Sequence, residues 1–213
     1  NMPDFRPLEE RLGHTFRDQS LLLQALTHRS YLNEHSDFPL AHNERLEFLG
    51  DAVLELIVTE HLYKRFANPE GDLTNWRAAL VNAKTLAGIA KDLNFEEYLL
   101  LSRGEARDKD TKARMYILAN GIEAIIGAVY LDGGMNASEK FIHRHVLSHL
   151  SNILALELYV DAKSKFQETA QELLGITPTY KVLTEEGPDH QKEFTVGVLL
   201  DKDLVAVGRG SSK

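Results

Sequence analysis

The sequence predicts a mainly α-helical protein that ends in a small α+β unit. Apolar residues recur at helical spacing over most of residues 5–155, and the run 115–131 is apolar on nearly all sides, as in a central helix. After about residue 160, short strand-like stretches separated by turn residues replace that spacing. These observations predict a helical domain over 2–155, a linker at 156–160 and a second domain over 161–213.

The composition is that of a folded protein. Of 213 residues, 43% are hydrophobic and 26% are charged, a mixture that argues against disorder. Acidic residues outnumber basic ones, 32 to 24, which disfavours a protein that coats nucleic acid by electrostatics alone. The absence of cysteine excludes disulfide scaffolds, thiolate metal sites and cysteine nucleophiles. No membrane span or leader pattern is found, so we expect a cytoplasmic protein with no membrane partner.

The helical spacing predicts the elements of the first domain in order. Helices are expected near residues 21–26, 46–62, 75–93, 115–131 and 136–157. Breaks between them are expected at residues 68–71, 102–112 and 132–134. The middle break is charged and poor in apolar residues, which predicts an exposed loop.

The second domain reads as a short helix followed by a three-stranded antiparallel meander. The helix pattern ends at Gly175. Strand-like stretches follow near 180–183, 194–198 and 204–207, with turn signals at 187–189 and 201–203. A sheet of this size needs its apolar face covered. Because one short helix covers only part of that face, the pattern predicts an incomplete unit.

The most informative stretch is Asn43–Asp51, NERLEFLGD. On a helix, Glu47 and Asp51 lie four residues apart and share a face. The same stripe continues to the apolar residues Leu54 and Val58, so the two carboxylates stand at one end of a core-facing stripe. Because buried carboxylates are costly, they need a basic partner, a proton or a bound cation. An ordinary solvated face is the alternative interpretation.

A second pair, Asn120 and Glu123, lies on one face of the apolar run 115–131. Gly121 and Gly127 would allow another helix to approach closely. If the two helices pack together, these side chains meet Glu47 and Asp51 in an all-oxygen set, which suits Mg²⁺ or Mn²⁺. The sequence contains no zinc-peptidase motif, no Gly-x-Ser-x-Gly and no phosphate-binding loop.

The stretch Asn43–Asp51 resembles the signature of the ribonuclease III family of double-stranded-RNA endonucleases. Leu26–Tyr31, Glu70–Thr74 and Ile117–Gly134 are similar to further family segments, in family order. The tail, with its Gly187–His190 motif and its final residues, resembles a double-stranded-RNA-binding domain. The resemblance implies an all-helical endonuclease domain followed by an α-β-β-β domain that lacks its final helix.

The resemblance also implies an activity. Members are Mg²⁺-dependent endoribonucleases, with Mn²⁺ as a substitute, that hydrolyse double-stranded RNA to 5′-phosphate and 3′-hydroxyl ends in rRNA and mRNA precursor processing. They act as homodimers, and the signature helix contributes to the interface. The apolar flank of this helix, with Phe48, Leu49 and Ala52, is compatible with that role, and core packing would explain these residues equally well.

Residue roles carry over from the resemblance position by position. The implied metal ligands are Glu47, Asp51, Asn120 and Glu123. The implied catalytic residues are Asp51, Glu123, Glu44 and Glu70. The implied RNA-binding residues are Gln167, Glu168, His190, Ser212 and Lys213.

Asn120 departs from the family pattern, since bacterial members usually carry Asp there. An amide oxygen still coordinates Mg²⁺ but lacks the charge. Three interpretations stay open: a working natural variant, a substitution made to trap substrate, or an inert paralogue. The alternative function is therefore a catalytically weakened double-stranded-RNA-binding protein on the same dimeric fold. A further interpretation is a helical scaffold whose acidic residues lie on the surface by chance. Such a protein would bind no divalent metal.

Overall fold

The structure is a computed structural model, and it describes residues 3–188 and 191–211. The chain divides into two compact units, Asn1–Leu154 and Ala155–Lys213. Each unit is described by itself.

The first unit is all-helical over its described residues. Its helices are α1 (Arg6–Leu12), α2 (Gln19–Ala25), α3 (Arg29–Glu34), α4 (Glu44–Arg65), α5 (Glu70–Val81), α6 (Ala83–Asp92), α7 (Arg103–Arg107) and α8 (Lys112–His145), with 3₁₀ turns at Phe95–Tyr98 and Leu147–His149. Helix α9 (Leu150–Leu174) begins in this unit and ends in the second. The prediction that the first domain is helical is confirmed.

Side-chain caps decide where several helices begin, and they correct two predictions. The single helix expected over 75–93 is two helices, because Asn82 has extended backbone and its side chain accepts a hydrogen bond from the Thr85 N–H. The expected loop over 102–112 contains α7, because the Ser102 hydroxyl accepts from the Glu105 N–H. Local polar residues thus start helices that hydrophobic spacing does not reveal.

Helix α8 is the central helix of the first unit, as predicted. Residues Ile122, Ile125, Ile126 and Val129 are fully buried in the core. The helix is interrupted at Gly134, where φ is 75°, a left-handed conformation that glycine adopts without strain. One helical stretch within Lys112–Leu174 is long and apolar enough to cross a membrane, but 61% of that window is buried inside the protein, as expected of a core helix.

Helices α4 and α8 form the most extensive helix pair, and two glycines bring them together. A Cβ at Gly50 would lie 1.7 Å from the backbone oxygen of Glu123, and one at Gly127 would lie 2.2 Å from the backbone oxygen of Leu46. Only glycine permits backbones to approach this closely. The prediction of close approach at Gly127 is confirmed, whereas Gly121 faces the Phe95 ring.

The second unit carries a three-stranded antiparallel sheet in the order β1-β2-β3. The strands are β1 (Thr179–Glu186), β2 (Glu193–Leu200) and β3 (Asp203–Gly210). Tyr180 pairs with Val198 across β1 and β2, and Val198 pairs with Ala206 across β2 and β3. The predicted meander is therefore confirmed. Part of the predicted turn at 187–189 lies outside the described residues.

Helix α9 replaces two predicted helices. The spacing predicted one helix ending near residue 157 and another ending at Gly175, whereas the backbone is helical without a break over Leu150–Leu174. The stretch 156–160, predicted as a linker, is therefore helical. Gly175, with φ of 67°, follows the last helical residue and ends the helix as expected.

Candidate active site

The start of helix α4 is anchored by a buried asparagine. The Asn43 side chain donates a hydrogen bond to the Ala25 backbone oxygen at 3.0 Å, and its backbone N–H donates to the Thr27 oxygen at 2.9 Å. Asn43 is 4% exposed. These bonds hold the first turn of α4, where Glu44 and Glu47 lie, and the positive end of the helix dipole favours carboxylates there.

Five of the predicted site residues meet in one cavity between α4 and α8. It has a volume of about 430 Å³ and is lined by Glu44, Glu47, Phe48, Asp51, Asn120 and Glu123. We call this the carboxylate cavity. The contact of Gly50 with the Glu123 backbone sets the spacing of the two helices, so the carboxylates of α4 stand beside those of α8. The structure thus brings together all four predicted metal ligands.

The carboxylate cavity holds more negative charge than its surroundings balance. Burial, reinforced by the charges of Asp51 and Glu47, raises the pKa of Glu123 to about 8. Burial and the neighbouring Glu44 and Asp51 also raise the pKa of Glu47. Burial and like charges thus both disfavour the ionised form of Glu123, and a bound cation would favour it.

The sequence places the predicted metal ligands on buried helix faces, and one of the four side chains is exposed instead. Glu47, Asn120 and Glu123 are half-buried, but Asp51 is exposed. The stripe does run into the core, because Leu54 and Val58 are fully buried. Asp51 lies at its solvent end, where the cavity opens, and water solvates its charge without a partner.

Glu44 has a different electrostatic environment. Its carboxylate lies 3.3 Å from an Arg29 nitrogen and 4.0 Å from His42 Nδ1. Arg29 thereby balances part of the charge at the cavity rim. Over the described residues, no three His, Asp or Glu side chains are close enough to form a finished metal site. The metal site therefore stays a prediction, supported by the donor set and its unbalanced charge.

Glu70 does not line the carboxylate cavity. It is the first residue of α5 and lines a separate cavity together with Arg77 of α5 and with Tyr63 and Phe66 at the C-terminal end of α4. Helix α4 rises about 1.5 Å per residue, so its C-terminal end is about 27 Å from Glu47. Within one chain, Glu70 therefore lies far from the other predicted catalytic residues.

The predicted RNA-binding residues belong to the second unit. Gln167 and Glu168 are exposed on α9 and line a shallow cavity with Thr177. His190, Ser212 and Lys213 lie outside the described residues.

Three residues important to this site carried no assigned role in the sequence analysis. Asn43 is a buried anchor, Gly50 permits the α4–α8 approach, and His28 lines an adjoining cavity. Asn43 and Gly50 lie inside the signature stretch, so their position beside Glu47 and Asp51 was the available signal. For His28, the sequence indicated only that it lies in a segment similar to the family, and not that it lies beside the site.

Comparison with known proteins agrees with the fold. A family model described as "Ribonuclease-III-like" matches residues 18–150, and one described as "Double-stranded RNA binding motif" matches 162–213. The chain is 45% identical to Ribonuclease 3 of Carboxydothermus hydrogenoformans over 207 residues, which cover 97% of this chain and 88% of that protein. It is 42% identical to Ribonuclease 3 of Enterococcus faecalis, with 97% and 89% covered.

A solved structure agrees as well. The nuclease domain of ribonuclease III from Campylobacter jejuni is 41% identical, with a TM-score of 0.58, and the match covers 66% of this chain and 94% of that domain. Helices α4 and α8, with their convergent carboxylates, lie within the range matched by the family model. The chain belongs to the ribonuclease III family and is an endoribonuclease of that type, with a double-stranded RNA binding motif in its second unit.

Proposed function

We propose that the chain is a Mg²⁺-dependent endoribonuclease that hydrolyses double-stranded RNA to 5′-phosphate and 3′-hydroxyl ends. The observation that carries the proposal is the carboxylate cavity, where Glu47, Asp51 and Glu123 converge beside Asn120 and where the pKa of Glu123 is raised to about 8. Hard oxygen donors with excess negative charge fit Mg²⁺, with Mn²⁺ as a substitute.

The side chains of the cavity have separate tasks in this mechanism. Glu47, Asp51, Asn120 and Glu123 would hold Mg²⁺, which when bound supplies an activated water and stabilises the leaving 3′ oxygen. Glu123, whose pKa is raised by burial and by the charges of Asp51 and Glu47, would serve as a ligand in its ionised form. Glu44, kept at the rim by Arg29, would face the substrate backbone. The role of Glu70 in the reaction stays a prediction.

We also propose that the chain acts as a homodimer through the outer face of α4. Phe48, Leu56 and Tyr63 on this face are 83%, 54% and 78% exposed. Apolar side chains in a row at helical spacing are typical of an interface. Leu49, predicted for the flank, instead packs against the core, while Ala52 is exposed. The Campylobacter nuclease domain is described as having a region involved in dimer formation.

The second unit supports double-stranded RNA as the substrate. Its match to a double-stranded RNA binding motif suits recognition of A-form shape across minor grooves. Gln167 and Glu168, exposed on α9, would contact sugars and minor-groove edges, and His190, Ser212 and Lys213 stay predictions. We place the activity in rRNA and mRNA precursor processing in the cytoplasm.

Cleavage of an end-labelled RNA duplex tests the proposed activity. With Mg²⁺ or Mn²⁺ we expect fragments bearing 5′-phosphates, detected by ligation. With Ca²⁺ we expect binding without efficient cleavage, because its longer bonds hold a looser geometry. Substantial cleavage in EDTA would contradict the metal-dependent mechanism. A gel shift without fragments in every metal would favour the alternative function, a weakened RNA-binding protein, which the amide at Asn120 suggests.

A further inference from the structure

A second cavity adjoins the carboxylate cavity. It has a volume of about 330 Å³, and its polar lining comprises His28, Asn43, Glu44, Glu47, Glu105, Tyr116 and Asn120. Glu44, Glu47 and Asn120 line both cavities, so the two share a wall. We call it the His28 cavity. A nucleotide next to the bond under attack would lie within reach of it.

Hydrogen bonds determine which nitrogen of His28 carries the proton. The Ser30 backbone N–H donates to Nδ1 at 3.2 Å, and the Ser30 hydroxyl lies 2.7 Å from the same nitrogen. The Ser102 backbone N–H in turn donates to that hydroxyl at 3.0 Å. Because a backbone N–H can only donate, Nδ1 is an acceptor, and the neutral ring carries its proton on Nε2.

His28 is therefore a neutral donor. Burial, its largest influence, lowers the pKa of the ring despite the nearby carboxylates of Glu105 and Glu44. Within the part of the chain that the structure describes, Nε2 has no hydrogen-bonding partner. The ring lines the cavity, so a ligand there meets one N–H donor.

The rest of the cavity offers acceptors. Glu105 is held in place because its N–H donates to the Ser102 hydroxyl and its carbonyl accepts from Arg114. Glu44 is engaged by Arg29, and Glu47 also lines the carboxylate cavity as a predicted metal ligand. Glu105 is therefore the carboxylate that lines the His28 cavity but not the carboxylate cavity. Carboxylates repel a phosphate group, whereas a hydroxyl can accept from Nε2–H and donate to a carboxylate at once. The lining thus fits an alcohol better than an anion.

From this geometry we infer that the His28 cavity receives the ribose 2′-hydroxyl of a nucleotide flanking the scissile phosphate. The hydroxyl accepts a hydrogen bond from His28 Nε2 and donates one to Glu105. His28 then discriminates RNA from DNA within the nuclease unit itself, since the 2′-hydroxyl is what distinguishes the two. The inference rests on the proposed function of the neighbouring carboxylate cavity.

The variant His28→Asn separates this role from a structural one. The His28 side chain also caps α3, and Asn is an equally suitable cap, so the variant keeps the cap and removes the distal N–H. His35→Asn is the matched control, because His35 ends the same helix, bonds the Tyr31 oxygen and does not line the cavity.

The experiment compares an all-RNA duplex with duplexes that carry a single 2′-deoxy nucleotide at each position around the cut, with Mn²⁺ as the metal. For the wild type and His35→Asn, we expect one position at which the deoxy substitution slows cleavage about tenfold or more. For His28→Asn, we expect all-RNA cleavage slowed by a similar factor and no further loss at that position. The ratio of rates within one variant does not depend on how much protein is folded.

Two results would overturn this inference and leave the proposed function standing. In the first, the wild type cleaves every singly deoxy-substituted duplex as fast as the all-RNA duplex. This result can be obtained without any variant. The other is a His28→Asn enzyme that keeps the full wild-type sensitivity at the same position. A wild type that cleaves no duplex in any metal overturns the proposed function first, and this inference with it.

Discussion

At the scale of single residues, the site is defined by charges that the protein does not neutralise. Glu123 is half-buried beside Asp51 and Glu47, and its pKa is raised to about 8. Nearby, Glu44 has Arg29 as a partner at 3.3 Å. The contrast locates the excess charge at the carboxylates between α4 and α8, where a cation would be held.

Replacing Glu123 by Gln tests this electrostatic account. A carboxyl whose pKa rises from 4.5 to about 8 on folding binds more protons in the native state, so the metal-free protein loses stability as pH rises through that window. Glu123→Gln removes the titration. In EDTA at pH 8.5, we expect its free energy of unfolding to exceed that of the wild type by about 1 to 3 kcal/mol.

Denaturant melts at two pH values check this. Below pH 4 the two proteins should be equally stable, because Glu123 is then protonated in both the folded and the unfolded wild type. The same variant should lose duplex cleavage. Equal stability at both pH values would show that folding does not raise the pKa of Glu123.

Replacing Asn120 by Asp tests the departure from the family pattern. A fourth carboxylate strengthens cation binding, so we expect the Mg²⁺ concentration for half-maximal cleavage to fall about tenfold. Asn120→Ala, which removes the amide oxygen, is the control and should raise that concentration. A metal titration of cleavage rate measures both. An unchanged requirement in Asn120→Asp would show that position 120 does not reach the metal.

At the scale of elements, the site depends on how closely α4 and α8 approach. Gly50 and Gly127 place each backbone against the other helix, and Asn43 anchors the first turn of α4. The carboxylates of the cavity therefore lie on helices and not on loops. A change in the spacing of the helices would move Glu123 relative to Glu47 and Asp51.

Gly50→Ala tests this packing. Its Cβ would lie 1.7 Å from a backbone oxygen, so the helices must separate, and we expect a loss of about 2 kcal/mol or more in unfolding free energy. Gly88→Ala is the matched control, since nothing lies within 4 Å of a Cβ there and α6 should gain about 0.5 to 1 kcal/mol. Chemical denaturation compares them. A tolerated Gly50→Ala would contradict the account.

Much of this could be predicted from the sequence, for reasons visible in particular residues. The periodic apolar positions of α4 and α8 reveal both helices, and the i, i+4 spacing of Glu47 and Asp51 places them on one face. The exposure of Asp51 could not be predicted, because it depends on where the stripe ends. Helix α7 and the break at Asn82 depend on single capping bonds, which apolar spacing does not register.

At the scale of the whole molecule, we propose that two copies of the chain associate through the outer face of α4. Phe48 is 83% exposed on the rim of the carboxylate cavity, and burying it against a partner would link dimer formation to the site. The double-stranded RNA binding motif of the second unit would increase the affinity for the same duplex.

Phe48→Asp tests the dimer. Removing a buried aromatic anchor and adding a charge should cost about 2 kcal/mol or more, a rise of about thirtyfold in the dissociation constant. Leu131→Asp, at a position 55% exposed on α8, is the control and should leave association unchanged. Sedimentation over a range of protein concentrations provides the measurement. A dimer unaffected by Phe48→Asp would place the interface elsewhere.

The central claim is that α4 and α8 together hold a divalent cation. Anomalous diffraction from a crystal grown with Mn²⁺ tests it most directly. The account predicts a manganese peak with carboxylate oxygens of Glu47, Asp51 and Glu123 about 2.1 Å away. Manganese bound elsewhere, with those three side chains apart and without an ion, would contradict it.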